Sequence, residues 1–357
     1  MVSAPSNRRK WSVKEIRDIV QLRLGKRPCW WQVKAALAIW EGKDVVACAA
    51  TGAGKTLTFW IPLLMAQADG IDDAVVMVIT PLNLLGKQNT DSLAKANISA
   101  IGVSRENATD ETFKVSHSLI NISESDNNHW KDIERGRYNV VTINPEILMG
   151  NEHVEELWKN PKFTTRILSF IFDEAHCISQ WGGFRNDYLH VGALRWLIPS
   201  HIPFYVPSAT IPNLVLRDIQ EALRLRAEDT TYIQCSNDRP EIGLAVRQLA
   251  HPVRSYKDLD FLIPDGFREG DPPPPKFLVF FDNKKEAEAA ALHLQSRLPQ
   301  SLQNKINWFH SINTPEFREE EVENLRDGDS WGECCTDSFG MVGKCPTRRS
   351  DYSLVTV

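Results

Sequence analysis

The sequence predicts an α/β protein with two lobes, each built on a parallel sheet flanked by helices. Short apolar runs alternate with helical stretches between residues 44 and 210, and the same alternation resumes after residue 276. A proline-rich segment, Asp271–Pro275, separates the two regions and cannot pair within a sheet. Strands buried on both faces are continuous apolar runs, so this pattern favours parallel sheets covered by helices.

The elements follow in order from these runs. The predicted strands of the first region are Val45–Ala47, Val75–Thr80, Val140–Ile143, Ile167–Phe172 and Phe204–Pro207. The segment from Gln234 to Pro240 is predicted to be a crossover. In the second region the predicted elements are the strands Lys276–Phe281 and Ile306–Phe309 and the helices Lys284–Leu298 and Pro315–Leu325.

Composition limits the class of protein. The chain has 357 residues, 42% hydrophobic and 24% charged, which suits a soluble globular protein of two domains. No apolar run is long enough to span a membrane. Seven cysteines without a C-x-x-C pair predict neither structural zinc nor a disulfide framework.

Charge gives no global support for nucleic-acid binding. With 41 basic and 46 acidic residues, the net charge is −5. The N-terminal region is the most basic part of the chain, with its Arg and Lys residues spread over positions 8–27. Two interpretations stay open there, a solvated helix face and a nucleic-acid contact.

The segment Ala49–Thr56 has the pattern of a phosphate-binding loop. It follows an apolar strand and precedes a helix, which is the context that such a loop requires. Gly52 and Gly54 let backbone amides turn toward phosphate oxygens, and the helix N-terminus adds partial positive charge. Lys55 is expected to reach the β- and γ-phosphates and Thr56 to ligate Mg²⁺. The residues predicted to bind ATP in this loop are Thr51, Gly52, Ala53, Gly54, Lys55 and Thr56.

An acidic box, Asp173–His176, follows the strand predicted at Ile167–Phe172. The strand delivers two carboxylates to its C-terminal end, where ligands bind in open α/β sheets. Asp173 is expected to hold Mg²⁺ and Glu174 to polarise the attacking water as general base. His176 is expected to sense the γ-phosphate. The sequence therefore predicts an ATP-hydrolysing site that uses Lys55, Asp173, Glu174 and His176.

The run Asp173–Gly182, which reads DEAHCISQWG, resembles the RecQ family of ATP-dependent DNA helicases. These belong to superfamily 2 and carry a DEAH box, and Ala49 in place of the usual first glycine is the superfamily 2 form of the phosphate loop. The resemblance covers about residues 10 to 341. It implies two RecA-like lobes, ATP and Mg²⁺, and both single-stranded and duplex DNA as partners.

Further roles follow from this resemblance alone. Gln32, after Lys26-Arg27-Pro28, matches the residue that reads the adenine edge. Ser208 and Thr210 match the element that couples hydrolysis to movement. The residues matched to nucleic-acid contacts are Pro81, Pro145, Trp181, Phe184 and Arg185. One residue fewer than usual separates Trp181-Gly182 from Phe184-Arg185.

The second lobe resembles the family only in part. Phe277–Asp282, Phe309–Ser311 with Arg318, and Cys335–Met341 match successive family elements. The later Gln-x-x-Gly-Arg-x-Gly-Arg motif, which supplies an arginine to the transferring phosphoryl group, has no counterpart. We therefore expect an incomplete, C-terminally truncated second lobe with exposed strand edges and marginal stability beside a stable first lobe. Residues 342–357 are predicted to be an unrelated tail.

Taken together, the motifs predict five regions. They are a basic extension (1–25), a RecA-like ATP-binding domain (26–236), a crossover with a proline-rich spacer (237–275), a partial C-terminal RecA-like domain (276–341) and the tail (342–357).

The resemblance implies a 3′–5′ DNA helicase of RecQ type that acts in recombination and repair. It also implies a nuclear location, supported by the Arg8-Arg9-Lys10 cluster, with a cytoplasmic pool left open. One alternative is a non-catalytic ATP- and DNA-binding module that lacks the arginine motif. Another is an RNA helicase of the DEAH class or a chromatin-remodelling ATPase, against which the Cys177–Gly182 run argues.

Overall fold

The structure is a computed structural model of the chain, and it describes residues 5–80, 93, 98–103, 129–181, 191–240, 242–336, 338–339 and 352–356. The chain divides into two compact units, Met1–Asp238 and Arg239–Val357, which we call the first and second units. The division lies within the segment Gln234–Pro240 that was predicted to be a crossover. Within the described ranges, no helix is long and apolar enough to span a membrane.

The first unit is built on a parallel sheet, which has seven strands among the described residues. Its strands are β1 (Asp44–Cys48), β2 (Val75–Ile79), β3 (Ala100–Val103), β4 (Val140–Ile143), β5 (Ile167–Phe172), β6 (Phe204–Ser208) and β7 (Thr230–Gln234). They lie in the order β3-β4-β2-β5-β6-β1-β7. Every residue of β1, β2, β4, β5 and β6 is buried, as expected of strands covered on both faces.

Helices cover both faces of this sheet. They are α1 (Val13–Leu24), α2 (Trp30–Trp40), α3 (Lys55–Ala68), α4 (His129–Glu134), α5 (Pro145–Gly150), α6 (Glu152–Lys159), α7 (Pro161–Thr164), α8 (His176–Trp181), α9 (Leu194–Leu197) and α10 (Asn213–Ala222). Short 3-10 segments span Pro5–Asn7, Val191–Ala193 and Ala227–Asp229. Alternate strand residues enter opposite cores. Val45 and Ala47 pack with α1, α2 and α3, whereas Val46 belongs to the core on the other face.

The N-terminal end of β1 carries a fully buried carboxylate, Asp44. It accepts hydrogen bonds from Arg195 at 2.6 Å, from Arg226 at 2.7 Å and from the amide of Phe204 at 2.8 Å. Burial alone would raise the pKa of Asp44, but the hydrogen bonds from Arg226 and Arg195 outweigh it and hold that pKa below its ordinary value. The hydrogen bonds of Asp44 therefore link β1 to β6, to α9 and to the segment before β7.

The basic N-terminal segment is packed into the first unit. The Arg8 guanidinium lies 5.2 Å from the centre of the Trp40 ring and donates to the Trp40 carbonyl at 2.8 Å. Burial lowers the pKa of Arg8 to about 10. Arg9 pairs with Glu15. Arg8 and Arg9 therefore contact protein groups, and the two interpretations of positions 8–27, a solvated helix face and a nucleic-acid contact, both stay open.

The second unit has a smaller parallel sheet of four described strands. They are β8 (Lys276–Phe280), β9 (Ile306–Phe309), β10 (Gly332–Cys335) and β11 (Tyr352–Thr356), in the order β11-β8-β10-β9. Its helices are α11 (Lys284–Gln295) and α12 (Pro315–Asp327), with 3-10 segments at Val253–Ser255, Lys257–Leu262 and Gln300–Lys305. Two parallel sheets with flanking helices confirm the predicted fold class.

The predicted tail contributes a strand to this sheet. β11 runs parallel to β8, with Tyr352 opposite Lys276 and Thr356 opposite Phe280. Val355 packs against the apolar core of the second unit. Strand β8 is therefore paired on both sides, by β10 and β11. The sequence signal was weak because this strand is short and lies outside the recognised motifs.

A buried carboxyl group lies in the middle of the second sheet. Glu333, on β10, is fully buried. Burial, and then the negative charge of Glu321 on α12, raise the pKa of Glu333 well above its ordinary value. Glu321 itself accepts from Asn307 at 2.8 Å and from Asn324 at 3.1 Å. Glu333 therefore favours its protonated form, while the neighbouring Glu321 carboxyl group accepts hydrogen bonds from two asparagine side chains.

Candidate active site

Three chemically distinctive segments meet at the C-terminal edge of the first sheet. The phosphate loop follows β1, the acidic box follows β5, and Ser208–Thr210 ends β6. In the sheet, β6 lies between β5 and β1, so the ends of these parallel strands are neighbours. The carboxyl edge of such a sheet is where α/β proteins bind ligands. The sheet order therefore brings the separate sequence motifs into one place.

The phosphate loop depends on two glycines in the left-handed region. Gly52 has φ +82° and Gly54 has φ +84°. Gly54 is also the N-cap of α3, so the backbone turns directly into the helix whose first amides lack helical partners. A Cβ at Gly54 would lie 2.7 Å from Nε2 of Gln32, whereas one at Gly52 would meet nothing within 4 Å. A side chain at position 54 would therefore require the Gln32 side chain to move.

Lys55 begins α3 and bends back over the loop. Its Nζ donates to the carbonyl of Ala49 at 3.0 Å and lies 3.5 Å from that of Ala50. Lys55 and Thr56 are both half-buried at the mouth of the loop. An ammonium group, a hydroxyl group and helix-terminal amides are the donor set that a polyphosphate requires. The residues present therefore fit a nucleoside triphosphate.

Beneath the loop, a buried hydroxyl pair joins α3 to β6. The Thr58 hydroxyl and the Tyr205 hydroxyl lie 2.6 Å apart. Burial raises the pKa of Tyr205 above its ordinary value, so this phenol stays protonated and can donate. No sequence pattern singles out Tyr205, because it lies within an apolar strand and outside any motif.

Gln32 contacts the phosphate loop in the structure. It is 5% exposed, and its Oε1 accepts from the amide of Cys29 at 2.8 Å. Its Nε2 donates to the carbonyl of Gly54 at 3.0 Å and lies 3.4 Å from that of Ala53. Both ends of the side-chain amide therefore hold protein atoms and tie α2 to the loop. Its role in reading adenine stays a prediction.

The acidic box makes a tight turn between β5 and α8. The amide of Asp173 donates to the carbonyl of Ile79 at 2.9 Å, and the amide of Glu174 donates to Oδ1 of Asp173 at 3.1 Å. Glu174 has φ +49°, a left-handed conformation that is uncommon for a residue with a side chain. Backbone strain of this kind clusters at functional sites. The turn leaves both carboxylates at the end of β5.

His176 joins the acidic box to the turn after β6. Its Nδ1 lies 3.0 Å from the Ser208 hydroxyl and 3.4 Å from Oε2 of Glu174. The Ser208 hydroxyl donates to the Thr210 carbonyl at 3.2 Å and lies 3.4 Å from the Thr210 amide. The geometry thus brings together Glu174, His176, Ser208 and Thr210, which the sequence had placed in two separate motifs.

The predicted nucleic-acid contacts are only partly described. Pro145 is buried in the first turn of α5, a helix capped by the Asn144 side chain. Trp181 is the last residue of α8. Pro81, Phe184 and Arg185 lie outside the described residues, as does the side chain of Trp181. The DNA-contact roles therefore stay predictions.

No group of three or more His, Cys, Asp or Glu residues is arranged to hold a metal ion in the part of the chain that the structure describes. Magnesium in nucleotide sites is bound by only one or two protein oxygens together with phosphates. The Thr56 hydroxyl, in the first turn of α3, and the Asp173 carboxylate, directly after β5, are a donor set of that kind.

Comparison with known proteins agrees with this geometry. Residues 30–219 match the DEAD/DEAH box helicase family. The chain belongs to this family. The match includes Gln32, the phosphate loop, the acidic box and Ser208–Thr210, so one family signature unites the motifs found separately.

The relatives within this helicase family carry RecQ-type names, which confirms the predicted resemblance. The chain is 30% identical to the ATP-dependent DNA helicase hus2/rqh1 of Schizosaccharomyces pombe over 64% of this chain and 15% of that protein. It is 26% identical to the probable ATP-dependent DNA helicase RecS of Bacillus subtilis, over 85% of this chain and 53% of that protein. The chain therefore spans about half of RecS and a much smaller share of hus2/rqh1.

Solved structures show the same fold at low identity. The DUF1998 helicase MrfA, bound to DNA and AMPPNP, superimposes with a TM-score of 0.65 at 15% identity, over 98% of this chain and 51% of MrfA. Dbp5 of Saccharomyces cerevisiae, bound to RNA and ADP BeF3, gives 0.58 at 15% identity, over 90% of this chain and 73% of Dbp5. Both likenesses support the fold described above, in which parallel sheets are flanked by helices.

Proposed function

We propose that this chain is a RecQ-type DNA helicase that hydrolyses ATP and couples hydrolysis to 3′–5′ movement along single-stranded DNA. The observation that carries the proposal is the contact between His176 and Ser208. This contact joins the acidic box, which is proposed to act on ATP, to the turn Ser208–Thr210, which is proposed to respond to hydrolysis. An ATP-binding fold with no motor role has no need of that link.

Phosphate binding, metal binding and water activation are assigned to different residues of the site. Lys55 and the amides that begin α3 bind the β- and γ-phosphates, and Gly52 and Gly54 let the backbone approach them. Thr56 and Asp173 hold Mg²⁺, which neutralises charge on the phosphate oxygens. Glu174 orients the attacking water and accepts its proton.

The remaining residues of the site transmit its state. His176 passes the state of the γ-phosphate to Ser208, and Thr210 fixes the Ser208 hydroxyl. Pro81, Pro145, Trp181, Phe184 and Arg185 bind the DNA strand. Stacking on aromatic rings supports a sequence-tolerant grip of this kind.

The biological setting follows from the resemblance and from the RecQ-type names. DNA unwinding during recombination and repair is the proposed role, and the nucleus is the proposed location. Arg8 and Arg9 contribute less to a nuclear localisation signal than the sequence alone suggests, because each contacts protein groups.

Steady-state ATP hydrolysis by the chain tests the proposal. We expect turnover that single-stranded DNA stimulates more strongly than single-stranded RNA and that Lys55→Ala abolishes. Leu22→Ala, at an exposed position on α1, is the matched control and keeps wild-type turnover. ATP binding without DNA-stimulated turnover contradicts the motor and favours the binding module. Stimulation by RNA alone contradicts the DNA assignment.

A further inference from the structure

Asn237 lies three residues beyond β7, and its side chain reaches back across the neighbouring strand. Its Nδ2 donates to the carbonyl of Ala209 at 2.8 Å and lies 3.5 Å from Sγ of Cys48. Cys48 ends β1, and Ala209 follows β6. Because β1 lies between β6 and β7, one side chain connects the ends of three adjacent strands.

The carbonyl that Asn237 holds belongs to the turn that faces His176. Ala209 lies between Ser208 and Thr210, whose mutual hydrogen bonds fix the turn. The Cys48 thiol also lies 3.5 Å from the Ala209 carbonyl. A movement of this carbonyl therefore moves the neighbouring Ser208 hydroxyl, which is 3.0 Å from His176.

The same contacts adjoin the phosphate loop. Cys48 is followed by Ala49, whose amide donates to the Ser208 carbonyl at 3.0 Å and whose own carbonyl accepts from Lys55 at 3.0 Å. On its other side, Asn237 is followed by Asp238, where the first unit ends. The side chain thus stands between the site and the point where the chain leaves this unit.

We propose that Asn237 is a positioning residue that links the departing chain to the site. It holds the Ala209 carbonyl and thereby keeps the Ser208 hydroxyl against His176. This role rests on the proposed function, because it is a role in coupled ATP hydrolysis. The side chain of Asn237 contacts Cys48 and Ala209, neither of which is proposed to contact ATP, so it acts through the turn.

Two substitutions test this role in the full chain. Asn237→Ala removes the side-chain amide, and Asn237→Asp keeps its shape but replaces the donor with a negative oxygen facing a carbonyl. Gln234→Ala is the matched control, since this exposed amide donates to the carbonyl of its neighbour Cys235, at 3.4 Å, and to no other group in the part of the chain that the structure describes. We expect both Asn237 variants to lower the DNA-stimulated kcat about fivefold, the size of one lost hydrogen bond, with the KM for ATP unchanged.

A second measurement reports the contact without turnover. Cys48 is 2% exposed. We expect iodoacetamide to alkylate Cys48 severalfold faster in Asn237→Ala than in wild type or Gln234→Ala, as measured by peptide mass spectrometry without nucleotide. An unchanged Cys48 rate overturns the contact and with it the proposed role.

The outcomes separate this inference from the proposed function. If wild type shows no DNA-stimulated hydrolysis, the proposed function fails and the role of Asn237 fails with it. If wild type is stimulated and the Asn237 variants match it, only the role of Asn237 is overturned. A KM for ATP that rises in step with the loss of kcat overturns positioning as well, because it indicates a damaged ATP site.

Discussion

One nitrogen of His176 faces both the Ser208 hydroxyl and the Glu174 carboxylate, at 3.0 and 3.4 Å. Glu174, which is proposed to activate water, and Ser208, which is proposed to receive the signal from His176, therefore both face the same imidazole nitrogen. A proton on this nitrogen can be shared with either oxygen, so a change at Glu174 alters the hydrogen bond available to Ser208.

Ser208→Ala should uncouple hydrolysis from DNA. The substitution removes the oxygen that faces His176 but leaves the phosphate loop intact. We expect DNA-stimulated ATP turnover to fall about tenfold while the affinity for ATP stays within about twofold of wild type. Ser200→Ala, at an exposed position, is the control and should leave both unchanged. Full stimulation in Ser208→Ala would show that the contact is dispensable.

Gly54→Ala should destabilise the first unit more than Gly52→Ala. Both positions have a positive φ, so alanine costs about 1–3 kcal/mol of backbone strain at either. Only at Gly54 does the new Cβ also meet Gln32 Nε2, at 2.7 Å. Urea unfolding without nucleotide measures the difference. In a Gln32→Ala background, the cost of Gly54→Ala should fall toward that of Gly52→Ala, and equal costs in both backgrounds would exclude the clash.

Asp44→Asn should remove about 3–5 kcal/mol from the free energy of unfolding of the first unit, because it leaves the buried guanidinium of Arg195 without its charge partner. The pKa of Asp44 is below its ordinary value, so its contribution is present above that ordinary value and is lost as pH falls through the lowered one. Asp44→Asn should therefore flatten the acid limb of stability against pH. The control Glu228→Gln, at an exposed position, should leave the acid limb as in wild type. Urea unfolding at several pH values in the acid range measures the free energy of unfolding of each variant.

Glu333 gives the second unit the opposite dependence on pH. Its pKa is raised in the folded state, so its stabilising contribution is complete below the ordinary glutamate value and is lost as pH rises through the raised one. Glu333→Gln has no charge to bury and should be more stable than wild type at about pH 8 and no more stable at about pH 4. Hydrogen exchange of β10 peptides, corrected for intrinsic rates, measures this. Glu320→Gln, on the exposed face of α12, is the control, and parallel pH curves for wild type and Glu333→Gln would refute the expectation.

The buried strands were predictable because each is an uninterrupted apolar run. The predictions for Val140–Ile143, Ile167–Phe172 and Ile306–Phe309 match the observed bounds, and β1, β2, β6 and β8 differ by one residue at one or both ends. Strand β7 was missed because it lies at the sheet edge and leaves Tyr232 and Gln234 exposed, which gives no apolar run. Strand β3 was missed for a similar reason, since half of its residues are only partly buried.

The motifs located the site, but they could not supply its side-chain partners. The loop pattern identified Gly54 and Lys55, and the acidic box identified Glu174 and His176. That Gln32 would hold the loop carbonyls depends on how α2 packs against α3, which no local pattern encodes. Asn237 lay in a segment predicted only as a crossover, and its contacts arise because β7 pairs beside β1.

Strand β1 separates residues that stabilise the first unit, around Asp44, from residues proposed to bind ATP, in the phosphate loop. Directed evolution can therefore vary the two groups separately. At one end of β1, Asp44 binds Arg195 and Arg226, and the other end, about 13 Å away across the five residues, leads into the phosphate loop. Variants selected for heat resistance can therefore accumulate around Asp44, Arg195 and Arg226 without altering the chemistry at Lys55. Effects of sites this far apart tend to add, so a library that varies the residues around Asp44 and one that varies the loop can be screened separately and combined.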